Sequence, residues 1–160
     1  SFTGYSEGLP DAGSAVCTAG SYARKHVPWT DFASLPSSVN QPFTAFPTNF
    51  ATLPTVAFVI PNLDHDMHDG TVGQADTWIR QHLDRYATWA RTHHSLLVIT
   101  WDEDDRSENN RIPTFVVGAN VPAKQVSNRL TSYSLLRALE DRYTLPRLGA
   151  SASAPALSLP

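Results

Sequence analysis

Apolar residues fall into three short unbroken runs and two longer periodic stretches. The runs are Thr55–Ile60 (TVAFVI), Ser95–Trp101 (SLLVITW) and Ile112–Gly118 (IPTFVVG). A short apolar run without alternation predicts a strand covered on both faces. Val72–His93 instead places Trp78, Ile79, Leu83, Tyr86, Trp89 and Ala90 at helical intervals, which gives one apolar helix face. Asp76 near its start and Arg91, His93 and His94 at its end suit the helix dipole. Thr131–Tyr143 predicts a second helix with Leu135, Leu136, Leu139 and Tyr143 as its stripe. Thr131 or Ser132 is its expected cap, and Leu145-Pro146 stops it. Strand, long helix and strand in succession predict a βαβ unit, with the first two strands parallel and the crossover right-handed. Ser1–Asn49 reads mostly as loop, punctuated by Gly and Pro every few residues. Ala150–Pro160 reads as a poorly ordered tail. The expected fold is α/β, three-layered, with a mostly parallel sheet.

Composition narrows this picture only a little. The 160 residues suit one domain with a real core, here 1–150 with the tail 151–160 appended. Net charge is −3 and the pI about 6.0, so nothing marks a nucleic-acid binder. No apolar run approaches the roughly 20 residues of a membrane span. Twelve Pro beside only two Lys (Lys25 and Lys124) suit a secreted, loop-rich protein. The chain has no initiating Met and no signal peptide, so it is expected to be processed or cut from something longer. Cys17 stands alone, as a free or buried thiol or with its partner on another segment.

The chemistry sits at the ends of the apolar runs. Thr55–Ile60 leads into Pro61–Gly70 (PNLDHDMHDG), which holds Asp64, His65, Asp66, His68 and Asp69. Ser95–Trp101 leads into Asp102-Glu103-Asp104-Asp105. In open α/β sheets, ligands bind at the carboxyl ends of strands. If the two strands are parallel, both acidic clusters emerge at one sheet edge. Like charges there repel, and a bound cation is the usual remedy. Asp64 and His68 are four apart, a spacing that can put both side chains on one side of a turn. Carboxylate and imidazole suit Zn, Fe or Mn; carboxylates alone suit Mg or Ca. Asp102 and Glu103 would add oxygens. Such a site could act on a phosphate, and the adjacent bases Arg24, Lys25 and His26 would suit its charge. As a bland reading, the three bases form a solvated turn over Trp29 and Phe32, and His82, His93 and His94 are surface polar residues. No G-x-S-x-G, P-loop or G-x-G-x-x-G is present.

Several stretches, taken in order, resemble one family. They are SFTGYSEGLP (1–10), YARKHVPWTDF (22–32), PNLDHDMHDG (61–70), ADTWI (75–79), LLVITWDEDD (96–105), NRIPTFVVG (110–118) and SLLRALEDRY (134–143). Together they are similar to a bacterial phosphoesterase family that includes secreted acid phosphatases and phosphatidylinositol-3-phosphatase-like proteins, related more distantly to phospholipases C. The resemblance implies an alkaline-phosphatase-like α/β fold and metal-assisted phosphoester hydrolysis. It implies that Asp64 and His68 form one metal-ligand pair and that Asp102 and Glu103 ligate at the other position. The metal, Ca, Zn, Fe or Mn, is left open. Asp102 and His26 become the catalytic candidates, with Arg24, Lys25, His26 and Asn110 on the substrate side. Asn110 falls where related branches place a ligand, although an amide is a poor one.

The family's acidic first-strand motif and its Ser or Thr nucleophile segment have no counterpart here. The chain therefore looks like the C-terminal half of such an enzyme. Its sheet is expected to be incomplete, Cys17 to pair with a cysteine of the other half, and that half or a second copy of the chain to cover an exposed edge. The expected function is phosphoric ester hydrolysis by a secreted, acid-phosphatase-like enzyme of which this is one portion. The rival expectation is a non-catalytic metal- or phosphate-binding fragment or a partner-binding subunit. A metal-independent carboxylate hydrolase is a third.

Overall fold

The computed structural model describes residues 1–160. The chain divides into two compact units, Ser1–Arg85 and Tyr86–Pro160. The architecture is α/β as expected, with a parallel central sheet, two helices and no closed barrel.

The first unit is built on a strand that the sequence pattern concealed. β1 (Phe2–Ser6) lies at the centre of a three-stranded parallel sheet. Its sequence, FTGYS, is no unbroken apolar run and is interrupted by Gly4, so the apolar pattern alone reads as loop. The short hairpin β2 (Thr18–Ala19) and β3 (Tyr22–Ala23) follows. β4 (Asn40–Pro42) flanks β1 on one side, with Gly4 opposite Asn40. β5 (Val56–Ile60) flanks it on the other, in register from Phe2–Val56 to Ser6–Ile60. The reason for Gly4 is steric. A Cβ there would meet three ring atoms of Trp29 at 2.0, 2.2 and 2.6 Å. The indole lies on the bare backbone of the central strand. Trp29 is buried with Leu9, Tyr22 and Val27, and Phe2, Val39 and Ile60 pack around them. Its Nε1–H donates to Oδ1 of buried Asn40 at 3.0 Å, and Asn40 in turn donates to the Ser14 carbonyl at 3.1 Å. The core thus ties β1, β4 and the 28–31 turn together.

α1 (Val72–Ala90) forms where its period predicted. Ala75, Trp78, Leu83 and Ala90 are buried along it.

In the second unit, β6 (Leu96–Thr100) and β7 (Thr114–Gly118) pair antiparallel, with Leu96 opposite Gly118 and Thr100 opposite Thr114. This corrects the expected βαβ pairing: β5 and β6 are not hydrogen-bonded neighbours, and each has another partner. The hairpin-like route through 101–113 brings the chain straight back along β6. The strands are also half-buried rather than covered on both faces, with Phe58 41% and Phe115 55% exposed.

α2 (Ser132–Arg142) starts at Thr131, whose backbone N–H donates to Ser134 Oγ. Its buried residues are Ser134, Ala138 and Glu140, while Leu136 and Tyr143 of the expected stripe are exposed. Glu140 explains the rotation. Its carboxylate accepts Leu148 N–H at 2.9 Å and the Ser151 hydroxyl at 2.6 Å. Arg137 donates to the Ala154 carbonyl. Residues 149–153 form a 3₁₀ turn with Ser151 and Ala154 buried, so the start of the expected loose tail is anchored to α2.

Candidate functional site

Two segments of the first unit close on each other, and both were singled out by sequence. The Pro61–Gly70 loop is sewn together locally. Asn62 Oδ1 accepts Asp64 N–H, the Asn62 carbonyl accepts His65 and Asp66, and the Leu63 carbonyl accepts Asp69 and Gly70. Gly70 is required, because a Cβ there would lie 1.8 Å from the Asp64 carbonyl oxygen. The loop docks on the β3 hairpin and its 24–26 turn. Leu63 N–H donates to the Ser21 carbonyl, and the Ser21 hydroxyl donates to Asp64 Oδ2 at 2.5 Å.

This docking brings Lys25, His26 and His68 together. His26 Nδ1 lies 2.8 Å from Asp66 Oδ2. His68 Nδ1 lies 2.7 Å from Asp69 Oδ1, and its Nε2 lies 2.9 Å from Lys25 Nζ. The two rings are 5.5 Å apart. The proton positions follow from the partners. A carboxylate only accepts, so Nδ1 carries the hydrogen in both rings. An ammonium only donates, so the neutral Nε2 of His68 accepts from Lys25. A carboxylate behind an imidazole fixes its tautomer and orientation, as it does behind catalytic and metal-ligating histidines. Asp66 does more, since its Oδ1 also accepts His68 N–H at 2.8 Å. One carboxylate therefore locks the loop and aims His26.

The other expected residues are placed differently. Arg24 turns away onto its own turn, with Nε on Thr30 Oγ1 and a terminal nitrogen on Asp31. Asp64 and His68 have different partners: Asp64 holds Ser21, and His68 lies between Asp69 and Lys25. Asp102 and Glu103 belong to the second unit, exposed and without an ion pair. Asn110 accepts Asp104 N–H at 2.9 Å through Oδ1, so its side-chain carbonyl shapes the loop. Asp104 answers by accepting the backbone N–H groups of Arg106, Glu108 and Asn110. Those N–H bonds hold its carboxyl below the usual range.

Sequence reasoning missed Glu7. It follows β1, accepts Asn62 N–H at 2.9 Å and lies 2.9 Å from His65 Nδ1. The signal was the same one that marked Asp64, an acid at a strand's carboxyl end. It was invisible because β1 itself was unrecognised.

As to a metal, no three His, Cys, Asp or Glu side chains cluster closely enough to hold an ion. At His68 the Lys25 ammonium lies against the imidazole nitrogen a metal would need. Asp102 and Glu103, with uncommitted oxygens, fit as two members of a larger oxygen shell. No helix is long and apolar enough to cross a membrane.

Residues 1–146 match the model of the phosphoesterase family. The chain belongs to that family. It is 50% identical over 159 residues to a phosphatidylinositol-3-phosphatase of Mycobacterium tuberculosis, covering 98% of this chain and 53% of that protein. It is 30% identical to a phosphate-repressible acid phosphatase of Penicillium chrysogenum, covering 91% of this chain and 40% of the relative. An acid phosphatase of Aspergillus fumigatus is 28% identical, with 80% and 32% covered. The chain thus spans about half the length, or less, of these relatives. No solved structure matches it.

Proposed function

We propose that the protein is a phosphoric ester hydrolase, or the phosphate-handling portion of one, with the phosphoryl group received by Lys25, His26 and His68. The observation that carries this is the closure of the 24–26 turn on the 61–70 loop, which leaves two carboxylate-backed imidazoles and one ammonium side by side. In this reading Lys25 moves its donated hydrogen from His68 to a phosphoryl oxygen. A charge-assisted bond of that kind is stronger than one to a neutral nitrogen. His26, with Nδ1–H held by Asp66, gives or takes a proton at Nε2, the atom that faces away from its carboxylate. Asp66 and Asp69 stabilise the imidazolium forms that arise.

Asp102 and Glu103 would hold a divalent or trivalent metal ion as part of its shell. Such an ion, when bound, would supply Lewis-acid chemistry. Secretion, supported by the Pro-rich and Lys-poor composition, and completion of that shell by further residues of the same enzyme are parts of the proposal. A second reading, phosphate binding without turnover, draws on one observation: neither His26 nor His68 is hydrogen-bonded to a Ser or Thr hydroxyl.

The test is hydrolysis of p-nitrophenyl phosphate with and without chelator, alongside calorimetric binding of inorganic phosphate. Lys25→Ala should weaken phosphate binding about tenfold, the low end for a hydrogen bond to a charged group, because Lys25 is exposed. Turnover abolished by chelator and by Asp102→Asn supports the metal assignment. Phosphate bound without turnover favours the second reading. Phosphate binding unchanged in both Lys25→Ala and His26→Ala refutes the site.

A further inference from the structure

The 61–70 loop holds one backbone conformation that its residue type does not favour. Met67 has a φ of +77°. In that left-handed region the Cβ of an L-residue crowds the following carbonyl oxygen, so Gly and, less freely, Asn and Asp are the usual occupants. Among the residues other than Gly with positive φ, Met67 is the one that stands between the candidate site's own side chains.

Such a conformation persists where its surroundings over-determine it, and here both flanks are tied down. At the loop's entrance Glu7 accepts Asn62 N–H at 2.9 Å. The Asn62 carbonyl accepts the N–H groups of His65 and Asp66, both at 2.9 Å. At the exit the Leu63 carbonyl accepts Asp69 N–H at 3.0 Å and Gly70 N–H at 3.2 Å. Asp66 and Asp69 are thus fixed to the adjacent residues Asn62 and Leu63. Met67 and His68 are left to reverse the chain between them, and a positive φ lets so short a reversal close.

The reversal places the chemistry. It carries His68 N–H back over Met67 to Asp66 Oδ1, at 2.8 Å. That bond orients the carboxylate, whose other oxygen lies 2.8 Å from His26 Nδ1. It also turns His68 toward the 24–26 turn, where Nε2 meets Lys25 Nζ at 2.9 Å and the ring lies 5.5 Å from that of His26. None of these contacts uses the Met67 thioether. Were Met67 to relax to a negative φ, His68 N–H would leave Asp66, and the two rings would lose the carboxylate that couples them.

We infer that Met67 is a positioning residue for the reaction: its left-handed backbone, and not its side chain, sets His26 and His68 side by side. The inference rests on the phosphate reading for what the pair receives, and adds what holds the pair in place.

Backbone preference at position 67 can be varied without touching a group that meets phosphate. Gly and Asn favour the left-handed region, Leu matches Met, and β-branched Val is disfavoured there. In ¹⁵N-labelled protein, exchange of the His68 amide and the imidazole resonances of His26 and His68 report the arrangement, with His93 as control for the fold. Calorimetry with inorganic phosphate reports binding. Met67→Val should speed His68 amide exchange and weaken phosphate binding, each about tenfold, the low end for losing a hydrogen bond to a charged group. Met67→Gly and Met67→Asn should keep both ring resonances and bind phosphate as the parent does. If the Val variant does not fold, Met67→Asn against Met67→Leu carries the test. The His68 amide should exchange about threefold slower in the Asn variant, following the several-fold preference of Asn for this region. A side chain that merely packs predicts the opposite order, with Leu nearest the parent and Gly and Asn worst; that order overturns the inference. So does a Val variant with parental exchange and resonances. Exchange and resonances that follow backbone preference, with no phosphate bound by any of the proteins, support the placement of the rings and overturn the phosphate reading instead.

Discussion

Gly4→Ala tests the centre of the fold directly. Its new methyl would start 2.0 Å from a ring carbon of Trp29. Carbon atoms in contact need ~3.5 Å, so strand or indole must yield by roughly 1.5 Å. Neither yields cheaply. β1 is hydrogen-bonded on both sides, and Trp29 is only 4% exposed. Moving the indole that far also breaks its 3.0 Å bond to buried Asn40. Overpacking costs ~1–3 kcal/mol, and stranding a buried donor or acceptor costs another ~1–3 kcal/mol. The expected loss is about 2–6 kcal/mol, a large share of the ~5–15 kcal/mol that holds a typical domain. Urea unfolding followed by tryptophan fluorescence measures it. Gly20→Ala is the control. Gly20 has a φ of +56° but nothing within 4 Å of its would-be Cβ, so the change should cost only the ~1–2 kcal/mol of left-handed backbone. In a Trp29→Ala background, Gly4→Ala should lose most of its effect, because the clash partner is gone. A Gly4→Ala protein within ~0.5 kcal/mol of the parent, the range of an innocuous surface change, would refute the packing of Trp29 on β1.

Two further outcomes follow from buried polar groups. Glu140→Gln keeps one acceptor but turns an amide donor toward the Leu148 N–H or the Ser151 hydroxyl. It should cost about 2 kcal/mol and make residues 149–160 more sensitive to limited proteolysis; unchanged thermal unfolding and proteolysis would contradict the anchoring. Tyr22 is 2% exposed and its hydroxyl has no partner. Burial pushes its pKa above the ordinary value, so the neutral form is favoured in the folded protein. That contribution is complete below the unfolded phenol pKa of ~10 and is lost as pH rises through the folded value. Tyr22→Phe should therefore match or exceed parental stability at neutral pH and lose less of it above pH ~10; denaturation at several pH values decides, and a steeper alkaline loss in the variant would refute the assignment.

Within residues 1–160, local sequence determined more of this protein than its loop-rich first third suggests. The 3.6-residue period placed α1, and apolar runs bounded by Pro and acidic clusters placed β5, β6 and β7. The R-K-H turn and the D-H-D-M-H-D loop were legible as chemistry because many ionisable groups stood within a few positions of each other. These are short-range signals, and they survive without knowledge of what each segment packs against.

Tertiary structure decided the rest. β1 became the central strand although its sequence is broken by Gly4, because the missing Cβ is what admits Trp29. β6 took β7 as its partner, since an apolar run specifies a strand but not its neighbour or direction. Asp64 took Ser21 as its partner, and Lys25 and His26 joined His68, because docking of the β3 hairpin on the 61–70 loop sets which atoms meet. Arg24 was drawn off by Asp31 for the same reason. Side-chain spacing along the chain limits which groups can meet; the contacts across 40 or more residues between that hairpin and that loop select which ones do.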